Sequence, residues 1–187
     1  MNLKNEYKIT LKKIFLHLHL VNKHRFLVLR LSCKAGIPLR GLIHDLSKYS
    51  PTEFWESVKY YAGDCSPISN AKKDKGYSAA WLHHKGRNKH HCEYWYDPSL
   101  SDCYIMMPLK YFKEMVCDTL AAGMSYQGKN WTKEYQLSYW NKAKDKALLD
   151  DKMKNLLTRV YTDISLEGVK PVVNRKNLQK LYNEYMQ

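Results

Sequence analysis

Gly41-Leu42-Ile43-His44-Asp45-Leu46-Ser47-Lys48 sets an imidazole, a carboxylate and an ammonium within five residues of one another. On a helix the His44 and Asp45 side chains point about 100° apart, so they would face one polynuclear centre rather than chelate from a single stripe. A His-Asp pair alone is common on protein surfaces. The apolar flank of Leu42 and Ile43 predicts a partly buried pair, and a buried carboxylate and imidazole need partners or a metal ion.

Further islands offer the same chemistry. Between His83 and His91 lie His83, His84, His90 and His91, half of all the histidines in the chain. If this stretch is helical, positions 84, 88 and 91 share a face, as do 83, 87 and 90. Gly86 counts against one continuous helix. Trp81, Tyr94 and Trp95 flank the block and predict a semi-buried wall, where imidazoles suit Zn, Fe, Mn or Ni. A solvated histidine-rich patch is the plain alternative. Asp118 stands among Met115, Val116, Cys117, Leu120, Ala121 and Ala122. A carboxylate in such a helix is costly to bury unless it meets a cation. His24 precedes the apolar run Phe26 to Leu29. His17 lies seven residues earlier on the same face and His19 off it, and both read as packing or surface residues.

The elements that must position these groups are helical. Residues 3–34 read as one amphipathic helix or two, with Ile14, Leu18, Val21, Leu27, Val28 and Leu31 near helical spacing and Gly36 and Pro38 ending them. A second helix over 39–47 carries the doublet. Ser50-Pro51-Thr52-Glu53 is a capping-box start for a helix over 51–62. Residues 63–75 read as a mobile loop, a lid or a plain connection. Residues 97–107 form a loop, and Pro108 opens a helix to about 126 with Tyr111, Met115 and Leu120 as core candidates. Helices over about 132–145, 147–162 and 174–186 follow. No strand, repeat or low-complexity segment is visible, so the class is all-α. The expected organisation is a metal-binding helical domain over 1–146, with residues 147–187 as a helical extension packed on it.

Of the 187 residues, 44% are hydrophobic, enough for a sizeable core. No apolar run is long enough to span a membrane and no signal peptide is apparent, so a soluble, cytoplasmic protein with no membrane partner is expected. Five cysteines without a C-x-x-C pair fit reduced thiols. The net charge of +13 favours phosphate-bearing partners, a nucleotide or a nucleic acid, although a lysine-rich solvated surface explains most of it.

His24, then His44-Asp45-Leu46-Ser47-Lys48, then Cys117-Asp118-Thr119-Leu120-Ala121-Ala122 resembles the HD-domain superfamily of metal-dependent phosphohydrolases. That superfamily orders a His, an HD doublet and a distal Asp along a helical bundle, and the similarity spans residues 24–122. The block His84-x-x-x-Asn88-x-His90-His91 resembles the extra histidines of its two-metal, six-ligand members. These include cyclic-dinucleotide phosphodiesterases; the block also resembles that of di-iron oxygenases on the same fold, and it is similar to that of a bacterial and phage family whose chemistry is unassigned. The resemblance implies an HD-like bundle in which His24, His44, Asp45 and Asp118 hold one metal and Asp45 bridges to a second. His84 with His90 or His91 would complete that second site. Lys48 matches the substrate-contacting lysine of two-metal members. Single-metal deoxynucleotidases place a glutamate there, and the glycine-tyrosine-proline signature of cyclic-dinucleotide enzymes is absent.

The implied cofactor is a divalent metal, two ions of Mn, Fe, Zn, Co or Ni, or Mg. The implied activity is hydrolysis of a phosphomono- or phosphodiester in a nucleotide or related ester by a metal-activated water. Asp45 and Lys48 would be the catalytic residues, and Lys48, Arg87 and Asn88 would contact substrate, with Asn88 alternatively orienting a ligating histidine. Two other readings use the same residues. One is a di-iron oxygenase. The other is a non-catalytic basic module that binds nucleic acid or protein, for which Lys170, Arg175, Lys176 and Lys180 supply charge near the C-terminus.

Overall fold

The computed structural model describes residues 7–186, and those residues form an all-α fold. The first helix, α1, spans Leu11–Ala35. Thr10 caps its N-terminus by accepting from the Lys13 amide, and Gly36, at φ 77°, closes its C-terminus. It is continuous rather than two helices. It starts after residue 10, later than the expected position 3, and the expected residues 3–6 lie outside the described ones. Short α2 (Pro38–Ile43), α3 (Pro51–Lys59), α4 (Pro67–Lys75) and α5 (Ala79–Arg87) follow. A long α6 (Leu109–Gln127), then α7 (Tyr135–Ala143), α8 (Asp151–Glu167), α9 (Val169–Val172) and α10 (Arg175–Met186) complete the chain.

The core forms where α1, α6, α8 and α10 meet. On α8 the buried residues Met153, Leu156, Leu157, Val160, Tyr161 and Ile164 recur at helical spacing and make one apolar stripe. On α6 every residue from Tyr111 to Cys117 is buried, so this helix is covered on all sides and forms the axis of the fold. Val28 and Leu31 of α1, Val116 and Leu120 of α6, Leu157 of α8 and Leu178 of α10 belong to one contiguous cluster. Each fully buried aliphatic side chain of this kind contributes about 1.5–3 kcal/mol. Among the described residues no helix is long and apolar enough to cross a membrane.

Several expected elements differ. Residues 67–75 are α4, not loop: Pro67 sits in its first turn, Ala71 is fully buried, and Gly76, at φ 79°, ends it. The loop reading overweighted the polar composition and missed that Ser-Pro and Gly bracket nine residues. The helix from Ser50 stops at Lys59, and α7 is shorter at both ends than 132–145. α5 runs through Gly86 to Arg87 without a break, then ends, so residues 88–95 are a turn and a 3-10 segment (Cys92–Trp95).

Candidate metal centre

The His44-Asp45 doublet occupies a break between α2 and the 3-10 segment Leu46–Tyr49, not the middle of a helix. α2 ends at Ile43, His44 is extended (φ −54°, ψ 130°), and Asp45 takes the left-handed conformation at φ 53°. Asp tolerates that region better than most residues because its short side chain is polar. Gly41 lets α2 lie against α1, since a Cβ there would meet the Ser32 Cβ at 2.5 Å. Arg25 straps the turn from outside: its Nε donates to the His44 carbonyl (2.9 Å) and an Nη to the Leu42 carbonyl (2.8 Å). The apolar flank does not bury the doublet as expected. Leu42, Ile43 and Leu46 are exposed. His44 and Asp45, each 1% exposed, are instead enclosed among ligand-type side chains from α1, α5 and α6.

Asp45 lies between two groups of candidate ligands. On its Oδ2 side stand His24 Nε2 (3.8 Å) and His44 Nε2 (3.2 Å), with Asp118 Oδ1 3.0 Å from His24 and 3.4 Å from His44. On its Oδ1 side stand His84 Nε2 (3.4 Å) and His90 Nε2 (3.5 Å), with His91 beside them. Within each group, Asp45/His84/His90/His91 and His24/His44/Asp45/Asp118, one ligand atom per residue lies within 4.8 Å of every other. Ligands bonded to one ion at about 2.0–2.2 Å sit within roughly 4.4 Å of each other. Small side-chain adjustments therefore suffice for either group to close on a cation. The donor set fits a metal in a second respect. Asp45 Oδ1, His91 Nε2 and both ring nitrogens of His90 are buried with no hydrogen-bond partner, a costly state that a cation would relieve. Asp118 Oδ2, 3.7 Å from His90 Nε2, spans the two groups a second time.

Two carboxylates that the sequence reading missed orient the imidazoles. Glu114, 1% exposed on α6, accepts from His44 Nδ1–H (3.0 Å) and lies 3.4 Å from His90 Nδ1. Its other oxygen accepts from Arg40 at 2.6 and 2.7 Å. Glu53, 3% exposed, accepts from His83 Nδ1–H and His84 Nδ1–H, both at 2.7 Å. A carboxylate on Nδ1 fixes the tautomer that leaves Nε2 free for a cation. Glu114 lies one helical turn before Asp118, and that i, i+4 spacing was the signal available. In the sequence Glu53 fits the last position of a capping box. Ser50 does cap α3 through the Glu53 amide (3.5 Å), but the Glu53 carboxylate turns to the histidines.

Apart from His44, whose imidazole would have to lose a proton to ligate, the electrostatics keep the shifted ligand groups in the forms that a metal needs. Burial alone would raise the Asp45 and Asp118 carboxyls. His44 and Lys48 outweigh it for Asp45, and His24, His44 and His90 for Asp118, so both are held well below the usual carboxylate range. Burial and, for His24, the Lys48 charge push His24 and His91 down, so their imidazoles are neutral. Burial opposes a charge on His44, but Asp45, Asp118 and Glu114 win and lift it well above the ordinary value. Lys48 Nζ sits 2.7 Å from Asp45 Oδ2; burial works against its charge, and Asp45 and Asp118 raise it nonetheless.

His24, His44, Asp45, His84, His90, His91, Asp118 and Lys48 thus come together, and all but His44 line one cavity of about 890 Å³. Arg87 does not join them: it is exposed at the end of α5, hydrogen-bonded to the His83 carbonyl, and off the cavity wall. Its expected substrate contact rested on a helix face that ends with it. Asn88 is half-buried and also off the wall. Its side-chain amide donates to Ser47 Oγ (2.9 Å) and to the His84 carbonyl (2.9 Å), tying α5 to the doublet turn.

A family model described as "Family of unknown function (DUF5662)" matches residues 13–163, most of the chain, which therefore belongs to that family. No curated protein and no solved structure matches the chain.

Proposed function

We propose that this member of the DUF5662 family is a metal-dependent phosphohydrolase of HD-like architecture, acting on a nucleotide or related phosphate ester. The observation that carries this reading is the sharing of Asp45 between two four-residue ligand groups at the base of a nucleotide-sized cavity. His24, His44, Asp45 and Asp118 would hold one ion, and Asp45, His84, His90 and His91 a second. When bound, two divalent cations supply Lewis acidity to phosphoryl oxygens and bring the pKa of a shared water from near 16 toward about 7.

The chain's own residues do the rest. Asp45 and Asp118 remain ionised and hold negative charge where the cations would sit. Lys48, kept protonated by those carboxylates, brings a fixed positive charge to the cavity wall, where a phosphate could meet it. Glu114 and Glu53 hold His44 and His84 in one tautomer, so the site is organised before a substrate arrives.

The test starts with elemental analysis of protein purified without a histidine tag. A panel of nucleotides and phosphate esters is then assayed with Mn, Co or Mg for release of phosphate or nucleoside. The expected result is turnover of some members, abolished by Asp45→Ala. Absence of turnover across the panel with metal demonstrably bound would overturn the reading. Bound iron with oxygen consumption would assign an oxygenase instead. Salt-dependent nucleic-acid binding that survives Asp45→Ala, without turnover, would assign a non-catalytic module.

A further inference from the structure

The cavity does not stop at the ligand groups. Its wall continues along α6 past Ala122 and Gly123 to α7, where Tyr135, Gln136 and Tyr139 line it. Gln136 is 2% exposed, and its Oε1 has no hydrogen-bond partner; Ser125 Oγ, on the same wall, also has none. A buried carbonyl oxygen left unmet is costly, so this end of the cavity suits a guest with a hydrogen-bond donor. Gly123 lets the Gln136 carboxamide pack close against α6, because a Cβ there would lie 3.1 Å from Gln136 Oε1, 3.1 Å from Trp131 Nε1 and 3.0 Å from the Tyr135 ring. Gly123 is five residues beyond Asp118, about 7–8 Å further along the helix axis. Beside the carboxamide, Tyr135 and Tyr139 stand one turn apart with rings 19° from parallel, and Tyr139 is 56% exposed.

A carboxamide presents a donor next to an acceptor, and an exposed phenol ring presents a π-face. A heteroaromatic base asks for both, an edge with donor beside acceptor and a flat face to stack. A sugar phosphate without a base can offer hydroxyls to the carboxamide but has no flat π-face to lay on the ring. We propose that the α7 end of the cavity is a nucleobase subsite, in which Gln136 hydrogen-bonds the edge of the base and Tyr139 stacks on its face. This deepens the hydrolase reading and rests on it for the phosphate end alone: it narrows the substrate class from phosphate esters to nucleoside phosphates.

Nucleosides test it apart from any turnover, since they carry no phosphate. Adenosine, guanosine, cytidine and uridine are titrated calorimetrically into the full chain, with ribose 5-phosphate as the base-free probe. At least one nucleoside is expected to bind, and Tyr139→Ala and Gln136→Ala are each expected to weaken it about tenfold or more. Tyr139 is exposed, so its replacement leaves the fold intact even if Gln136→Ala does not. Binding of no nucleoside, or wild-type affinity in both variants, overturns the subsite. Nucleoside binding without turnover of any nucleotide keeps the subsite and removes the hydrolase. Turnover of ribose 5-phosphate with no nucleoside binding does the reverse.

Discussion

Glu114→Gln isolates the charge that orients the histidines, because it preserves the shape of a side chain that touches three partners. Glu114 accepts from His44 and Arg40 and lies beside His90. Burial would raise its carboxyl, but His44 and His90 hold it at about 2 against an ordinary 4.5. The difference, (4.5 − 2) at about 1.36 kcal/mol per unit, is on the order of 3 kcal/mol. The folded-state value is depressed, so this stabilisation is complete above about pH 4.5 and is lost as the pH falls from there toward 2. At pH 7 the variant therefore loses roughly 3 kcal/mol, and a chain of this size should melt about 6–12 °C lower. Metal affinity should fall as well, by about 10- to 100-fold, the usual cost of removing a carboxylate behind a ligating histidine. Differential scanning calorimetry of the metal-free protein reads the first effect, and calorimetric titration with Zn or Mn the second. A variant that melts with the wild type and binds metal within twofold of it would refute the argument that Glu114 sets the His44 tautomer.

Asp45→Ala should remove both ions rather than one, because the residue is common to both groups; elemental analysis showing a single retained ion would contradict the bridging role. Gly41→Ala, which drives a Cβ into Ser32, should cost about 1–3 kcal/mol by overpacking and loosen metal binding with it, read by urea unfolding. His17 is pushed down to about 4 by burial and by Lys48. It stays neutral in the fold while the unfolded chain protonates it near 6.5, so stability should decline as pH falls from 6.5 toward 4, by on the order of (6.5 − 4) × 1.36, or about 3 kcal/mol. In His17→Phe that part of the slope should vanish, and equal slopes in the two proteins would exclude it. Arg87→Ala should leave metal binding and turnover within about twofold of wild type, since Arg87 is exposed and off the cavity; a larger loss in steady-state kinetics would return it to the site.

Much of the site was legible because its residue types are rarely buried without a reason. His24, His44-Asp45 and Asp118 each set imidazole or carboxylate beside apolar residues, the His84–His91 block is flanked by Trp81, Tyr94 and Trp95, and the structure brings them together. The local argument for the doublet was nevertheless mistaken. Leu42 and Ile43 face outward, and burial comes from elements far away in sequence, which no window of eight residues can reveal. Glu114 and Glu53 were missed for the same reason, since their importance lies in whom they meet across the fold. α4 was lost to a rule that equates polar composition with loop, although Pro67 and Gly76 mark its ends. The helical class was legible throughout, because periodicity in α1, α6 and α8 is a property of each segment alone.

The Arg25 strap has a mechanical consequence. Residues 24 and 25 are consecutive on a 25-residue rod, yet one reaches inward to the ligand cluster while its neighbour wraps the outside of the doublet turn. A stretch with no repeating backbone pattern thereby inherits the stiffness of the longest helix. Three anchor points on one planar guanidinium, the third being the Tyr49 hydroxyl at 3.2 Å, do what a lysine could not. The irregular loop is thus fixed in register with α1, and the pocket can keep its shape before any ion enters it.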